Sequence, residues 1–387
     1  MTLRIPFHVP SISQEEENAV LAVLRSGWLT SGNVAEQLEQ EFENWLRNSA
    51  VSVSSASAGL QLTYAALRKR GIREVIVPSL TFTSTAMSAV HAGLGCRIVD
   101  VDESTLCLDP KYVFDAAAPD VAVTVVHYGG LVSHQLRASL AELSKTGVAV
   151  VEDAAHALPA SDELGDVGSG FVSTATIFSF YANKTVTSGE GGMICTSDTE
   201  LATNVRLLRQ HGIDRNSYFR RFTSAGNTWD YEVLEPGFKA NLPDLLAAIG
   251  LTQFRRRFEM QRKRAEIARY YFDLLDGSDV QLPPHAGNFE NHAWHLFVVR
   301  MPKSVNRDAV MESLKSRGIG CSLHYRPLHQ HSYYRERFSL DSKSFPNSEA
   351  VFRTAISLPI YPDLTMGQVE YVSKVLKESM TTSKWYE

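Results

Sequence analysis

The chain has few cysteines and none of them paired in sequence. Cys96, Cys107, Cys195 and Cys321 are scattered with no CxxC pair. That excludes a disulfide framework and reads as reduced thiols in the cytosol. No stretch approaches the ~20 consecutive apolar residues of a membrane helix. The opening MTLRIPFHVPSISQEEE lacks the apolar run of a signal peptide. A cytoplasmic protein with no membrane partner is expected. Neither sign of charge dominates: 38 Lys and Arg stand against 43 Asp and Glu, a net charge of −5. A basic nucleic-acid surface is therefore excluded as the organising feature. The cluster RRRFEMQRKR from Arg255 lies on a helical pattern and reads as a solvated face. Internal repeats and low-complexity segments are absent. So are GxGxxG after the first strand and GxxxxGK[ST], which removes the usual marks of a dinucleotide-binding dehydrogenase and of a P-loop enzyme.

What is present is ordinary globular composition, 44% hydrophobic and 21% charged over 387 residues. That length fits two domains at roughly 100–200 residues each. Seven short, nearly continuous apolar runs begin at Ala50, Glu74, Arg97, Val121, Val148, Thr174 and Gly192. Runs of this kind are strands covered on both faces. Helix-length segments separate most of them. The last two are joined instead by YANKTVTSGEG, too polar and glycine-rich for a crossover helix. The expected fold is α/β, a large domain with a seven-stranded mostly parallel sheet over residues 1–255 and a smaller α+β domain over 256–387. In detail, Asn241 is expected to cap a helical run from Leu242 that is either one helix or two stacked ones. HLFVVRM from His295 is expected to be a half-exposed strand, with His292 and His295 as its lead-in.

Ligands of open α/β sheets bind beyond the carboxyl ends of the strands. Asp153 and His156 follow the fifth run, Ser179 and Lys184 the sixth, SASAGL the first and Phe82 the second. An aspartate at a strand tip can hold a heterocyclic N–H. Small residues opening a helix leave N–H groups for a phosphate, and Ser179 adds a hydroxyl. Phe82 can stack on a flat ring, and a lysine in a glycine-rich turn can bond an aldehyde. Phosphate, ring nitrogen, flat ring and aldehyde together describe pyridoxal phosphate. Each residue alone has a blander reading. Asp153 could cap a helix, Ser179 could be a plain strand-end hydroxyl, Phe82 could be core, and His156 could be a satisfied helix histidine. HYRPLHQHS offers His324, His329 and His331, but without a partner at ligand spacing no metal is expected.

EDAAHA at Glu152 with FSFYANKTVTSGEGGMICT at Phe178 closely resembles the DegT family of pyridoxal-phosphate-dependent sugar aminotransferases. The likeness runs nearly end to end, through SGWLTSG, VSSASAGLQL, VIVPSLTFTSTA, VHYGG, EPGFKANLPDLLAAIGLTQ, GIGCSLHYRPLH and SLPIYPDLT. The resemblance implies the aspartate-aminotransferase-like fold type I. It makes Lys184 the cofactor-bonding and proton-moving lysine, Asp153 the partner of the ring nitrogen, His156 the residue beside the ring, Ser179 a phosphate ligand and Phe82 the stacking aromatic. Ala56 and Ser57 replace a Gly-Thr pair on the phosphate, which puts the backbone angles of that loop in question. The resemblance also implies a homodimer with shared sites, in which Lys239 reaches the partner's phosphate. Trp28, Asn241, His324 and His329 become substrate contacts. The implied reaction moves an amino group, from L-glutamate, to a nucleotide-linked keto-sugar. GEGGM and GFKAN look like members acting on 4-keto-6-deoxy sugars. A 3-keto-sugar enzyme, a sugar dehydratase (in which histidine replaces the lysine) and a non-catalytic regulator are the alternatives.

Overall fold

Seven apolar runs become the seven strands of one sheet. In the computed structural model they are β1 (Ser49–Val53), β2 (Glu74–Pro78), β3 (Gly95–Val99), β4 (Val121–Val126), β5 (Ala149–Asp153), β6 (Ala175–Ser179) and β7 (Gly192–Thr196). The structure describes residues 4–114, 118–170, 172–214, 231–285 and 289–383. The strands lie in the order β1-β7-β6-β5-β4-β2-β3. All neighbours are parallel except β7, which runs against both β1 and β6. The polar link from Phe180 to Gly191 forms no crossover helix, and the chain returns antiparallel beside β6.

Helices cover both faces. On one side Leu60, Tyr64 and Leu67 of α3 (Ala56–Lys69), with Leu201 and Val205 further on, pack on Val51, Val75, Val151 and Ile177. On the other, Phe42 of α2 (Asn33–Leu46) joins Phe178, Phe180 and Met193. Leu136 and Leu140 pack there on Val123 and Val150.

The long helical run is two helices, α4 (Asp244–Arg255) and α5 (Arg257–Leu275), broken at Arg256. Asn241 does not cap the first. Pro243 holds the N-cap position, and the Asn241 amide is turned away to Ser31 Oγ. Asp244 serves α2 instead, its carboxylate accepting from the backbone N–H groups of Gly32, Val34 and Ala35. We propose the division of the chain at the break after Arg255, because a separate apolar cluster begins beyond it. That cluster gathers Ala265, Tyr271, Val310, Leu314, Val372 and Leu376, and Ile5 from the start of the chain joins it. The strand β8 (Phe297–Arg300) pairs antiparallel with β9 (Ala355–Leu358). It is buried along its whole length rather than half exposed. Phe297 and Val299 face the C-terminal cluster while Leu296 and Val298 face the large sheet, so both sides of an alternating strand are apolar surroundings.

One buried ionic network braces the middle of the sheet. Glu152 accepts from His127 Nε2 (3.1 Å), Ser173 Oγ (2.8 Å) and Thr176 Oγ1 (2.9 Å), with Arg137 Nε at 3.3 Å. Burial pushes its carboxyl up, but the His127 bond and charge, the Arg137 charge and Ser173 outweigh it and bring it to about 2. A folded-state value below the unfolded one gives stability that is present above pH ~4.5 and lost as the pH falls toward ~2. Glu152→Gln should therefore cost about 3 kcal/mol at neutral pH, by removing the charge that His127 and Arg137 face, while Asp162 still pairs with Arg137. Urea melts should show the gap from wild type narrowing toward pH ~2. A gap independent of pH would contradict this account of Glu152.

Candidate active site

The carboxyl ends of β2, β4, β5 and β6 open into a cavity of 560 Å³. Its walls include Ser55, Ala56 and Ser57 from the start of α3, and Phe82 after β2. Asp153 and His156 come from the end of β5, and Ser179 and Lys184 from the end of β6. His324 and Tyr325 arrive from the C-terminal half. Seven residues that the sequence placed on four different strand tips (Ala56, Ser57, Phe82, Asp153, His156, Ser179 and Lys184) thus share one space.

The floor of the anion cradle is a helix start. Ser55 caps α3, its hydroxyl accepting from Ala58 N–H at 3.1 Å. Ala56 is the first helical residue and is not at positive φ. The methyl that replaces a glycine hydrogen therefore disturbs nothing in the backbone. The N–H groups of Ala56 and Ser57 belong to the orphan donors of a helix N-terminus. Across from them a glycine is required at 192, where a Cβ would lie 2.8 Å from the Ala56 nitrogen. Ser179 is buried next to this cradle and its Oγ accepts from Tyr181 N–H at 3.3 Å.

Asp153 stands on the last residue of β5. No helix follows it. Oδ1 accepts from Ala155 N–H (3.2 Å) and Oδ2 from Thr85 Oγ1 (2.8 Å). Burial pushes the carboxyl up, while those two hydrogen bonds and the charges of Lys184 and His127 pull it back. Both partners are neutral donors, and each oxygen keeps a lone pair for a further N–H.

Lys184 is partly buried. Burial lowers its ammonium to about 8, although the Asp153 charge opposes the shift. An amine in that range is available as nucleophile and base near neutral pH. His156 is uncharged: burial first, then the charges of Lys184, His324 and His127, hold it well below the ordinary range. Its Nδ1 accepts from Gly129 N–H (3.2 Å) and its Nε2 meets Tyr325 Oη (2.9 Å). Phe82 is not core. It is 54% exposed with its ring at the cavity wall, 5.9 Å from that of Tyr325.

The remaining expected contacts divide. His324 lines the cavity, with Nδ1 2.8 Å from Ser357 Oγ and its ring stacked on Phe7. His329 does not reach it. That side chain is fully buried, bonded through Nδ1 to Ser79 Oγ (2.6 Å) and through Nε2 to Glu349 (2.9 Å), and it stacks on Phe345. It is a packing histidine with both nitrogens satisfied. Trp28, Lys239 and Asn241 gather elsewhere on the chain around Ser31. Lys239 Nζ donates to Asn241 Oδ1, and Trp28 Nε1 donates to the Ser31 carbonyl at 3.2 Å.

Two site residues escaped the sequence reading. Tyr325 lies between the histidines of HYRPLH, and only its neighbours drew notice. His295, read as a strand lead-in, places Nε2 3.4 Å from Lys184 Nζ. No local pattern announces it, since the contact spans 111 residues of chain.

The cavity passes a chemical test for pyridoxal phosphate. It offers backbone and hydroxyl donors for a phosphate, a carboxylate for a ring N–H, an aromatic face and a low-lying lysine amine. Fold and site together define a fold type I pyridoxal-phosphate enzyme. Residues 10–377 match the model of the DegT/DnrJ/EryC1/StrS aminotransferase family. The chain is 38% identical over 383 residues, 97% of its own length and 96% of the relative's, to the spore coat polysaccharide biosynthesis protein SpsC of Bacillus subtilis (strain 168). Among solved structures it superposes on the PLP-form of the putative sugar aminotransferase Spr1654 from Streptococcus pneumoniae. That match has a TM-score of 0.87 and 26% identity, covering 98% of this chain and 99% of the other. The aminotransferase TlmJ from Streptoalloteichus hindustanus gives a TM-score of 0.85 at 31% identity, covering 98% and 99%. The chain belongs to the DegT/DnrJ/EryC1/StrS aminotransferase family. It is a sugar aminotransferase that uses pyridoxal phosphate.

Proposed function

We propose that this enzyme takes an amino group from L-glutamate and delivers it to the C4 carbonyl of a nucleotide-linked 4-keto-6-deoxy sugar. The product would be an amino sugar for a surface polysaccharide, made in the cytoplasm by a homodimer. The observation that carries the reading is the meeting of the Lys184 amine and the Asp153 carboxylate in one cavity with a helix N-terminus. The choice of C4 rests on GEGGM and GFKAN, and the polysaccharide on the likeness to SpsC.

Pyridoxal phosphate, when bound, supplies an electron sink for the bond broken at the donor's Cα. The chain's own residues do the rest. Ala56 and Ser57 N–H groups with the Ser57 and Ser179 hydroxyls would hold the phosphate. Asp153 would accept the ring N–H and keep the proton there. Phe82 and His156 would confine the ring. Lys184 would hold the cofactor through Nζ. Once released, its Nζ carries the proton that leaves Cα, a task suited to an amine lowered to about 8. His324 and Tyr325 close the wall toward the sugar. Lys239 of the partner subunit, with Trp28 and Asn241 beside it, completes the phosphate and substrate side of the neighbouring cavity.

A panel of nucleotide-linked 3-keto and 4-keto sugars assayed with L-glutamate tests this directly. Amino-sugar product is expected from a 4-keto-6-deoxy member, with 2-oxoglutarate formed in equal amount. Product from a 3-keto sugar alone would move the amination to C3. Turnover with none of them, in protein that holds the cofactor, would sink the substrate assignment.

A further inference from the structure

His295 occupies a position that the reaction as described leaves without a task. Its side chain is buried. Nε2 lies 3.4 Å from Lys184 Nζ, and Nδ1 has no hydrogen-bond partner among the described residues. The ring is held there firmly. On either side of it the backbone is tied to the Gly129–Gly130 turn, Ala293 N–H to the Gly130 carbonyl and Leu296 N–H to the Gly129 carbonyl, each at 3.1 Å. The same turn supplies the N–H that His156 Nδ1 accepts, so the two imidazoles are set against each other with centroids 4.4 Å apart. Arg264 of α5 donates to the Trp294 carbonyl (3.2 Å) and the Ile360 carbonyl (2.9 Å), fixing the residue just before His295.

The charge state follows from these neighbours. Burial, then Lys184, His156, Arg264 and His324, keep His295 well below the ordinary histidine range. His8 and Asp153 are the further titratable groups that interact with Lys184. An uncharged imidazole carries one N–H. Placed on Nδ1, that N–H would be buried with no acceptor, the more expensive of the two orphans. Placed on Nε2, it points at Nζ and leaves only a lone pair unmatched on Nδ1. The second arrangement requires Nζ to present a lone pair.

We propose that His295, protonated at Nε2, donates a hydrogen bond to the lone pair of the Lys184 amine, favouring the uncharged form of that amine and aiming it into the cavity when it is not bonded to the cofactor. His295 is thus a positioning residue that acts through Lys184. The proposal rests on the reading of Lys184 as the cofactor-bonding lysine.

The test uses the full chain stripped of cofactor and mixed with pyridoxal phosphate from about pH 6.5 to 10. The initial rise of visible absorbance reports condensation of Nζ with the aldehyde, which releases water. Removing a donor that favours the uncharged amine must raise the midpoint of this profile. His295→Phe should shift it alkaline by about one pH unit. His295→Gln, which keeps an N–H near the place of Nε2, should stay within ~0.3 unit of wild type. A midpoint unmoved or shifted acid in His295→Phe overturns the proposal, because Nε2 would then be idle or accepting from an ammonium. A wild-type protein that develops no absorbance overturns the Lys184 reading itself, and this inference with it. Nitrogen-15 spectra of histidine-labelled wild type, independent of how the variants fold, should show Nε2 of His295 protonated and Nδ1 bare. The reverse tautomer, or a doubly protonated ring, overturns the proposal equally.

Discussion

Lys184→Ala should lower kcat/KM for amino transfer by at least about 10⁴-fold. Two losses add. The amine that fixes the aldehyde disappears, and so does the base that moves the Cα proton, a contribution of about 10²–10⁴ by itself. The fold should survive. Among the described residues Lys184 makes one long side-chain hydrogen bond, at 3.4 Å, and its ammonium is disfavoured by burial. Replacing it removes a desolvated amine rather than a brace, so thermal unfolding should stay at or above the wild-type midpoint. The cavity wall remains, so glutamate and sugar should still bind. Steady-state kinetics with a denaturation control separate these effects. A variant that keeps wild-type turnover would contradict the role given to the amine, and one that fails to fold would contradict the packing.

Asp153→Asn should lower kcat by about 10²–10³, the usual scale for removing one preorganised electrostatic partner from a buried site. The change keeps the shape and the contact with Thr85 Oγ1, at 2.8 Å in the wild type. It deletes the charge that holds a proton on the ring nitrogen. Because burial already pushes this carboxyl up, the neutral amide removes a desolvation penalty. Stability should hold or rise while turnover collapses. Parallel loss of both would make Asp153 a structural residue, a turn-former for Ala155 N–H. Glutamate should show the effect in the first half-reaction, measured by 2-oxoglutarate release in a single turnover.

Much of this site is legible because it is built from strand tips. Asp153, Ser179 and Lys184 each sit within a few residues of the end of an apolar run, and runs buried on both faces are the plainest signal a sequence carries. The polar YANKTVTSGEG link, unfit for a crossover helix, corresponds in the structure to the reversal of β7 and to the non-helical turn that carries Lys184. The limits are equally physical. His324 and His329 look alike in HYRPLH, five residues apart. One lines the cavity while the other is enclosed between Ser79, Glu349 and Phe345. Only the packing of the C-terminal half on β2 decides which is which. His295 reaches Lys184 through a backbone tied to Gly129 and Gly130, a contact between segments that no spacing connects. HLFVVRM reads as half exposed because alternation along one strand cannot reveal that two different apolar clusters flank it. Asn241 is a reasonable cap by type, but Pro243 stands closer to the helix and the amide is drawn to Ser31.

The whole account depends on which atom bonds the cofactor. Reducing the pyridoxal-phosphate-loaded protein with borohydride, digesting it and sequencing the peptides by mass spectrometry settles that. The expected result is loss of the visible band together with a pyridoxyl group on the peptide carrying Lys184 and on no other lysine. An adduct on a different lysine, or none in a preparation that transfers amino groups, would contradict it.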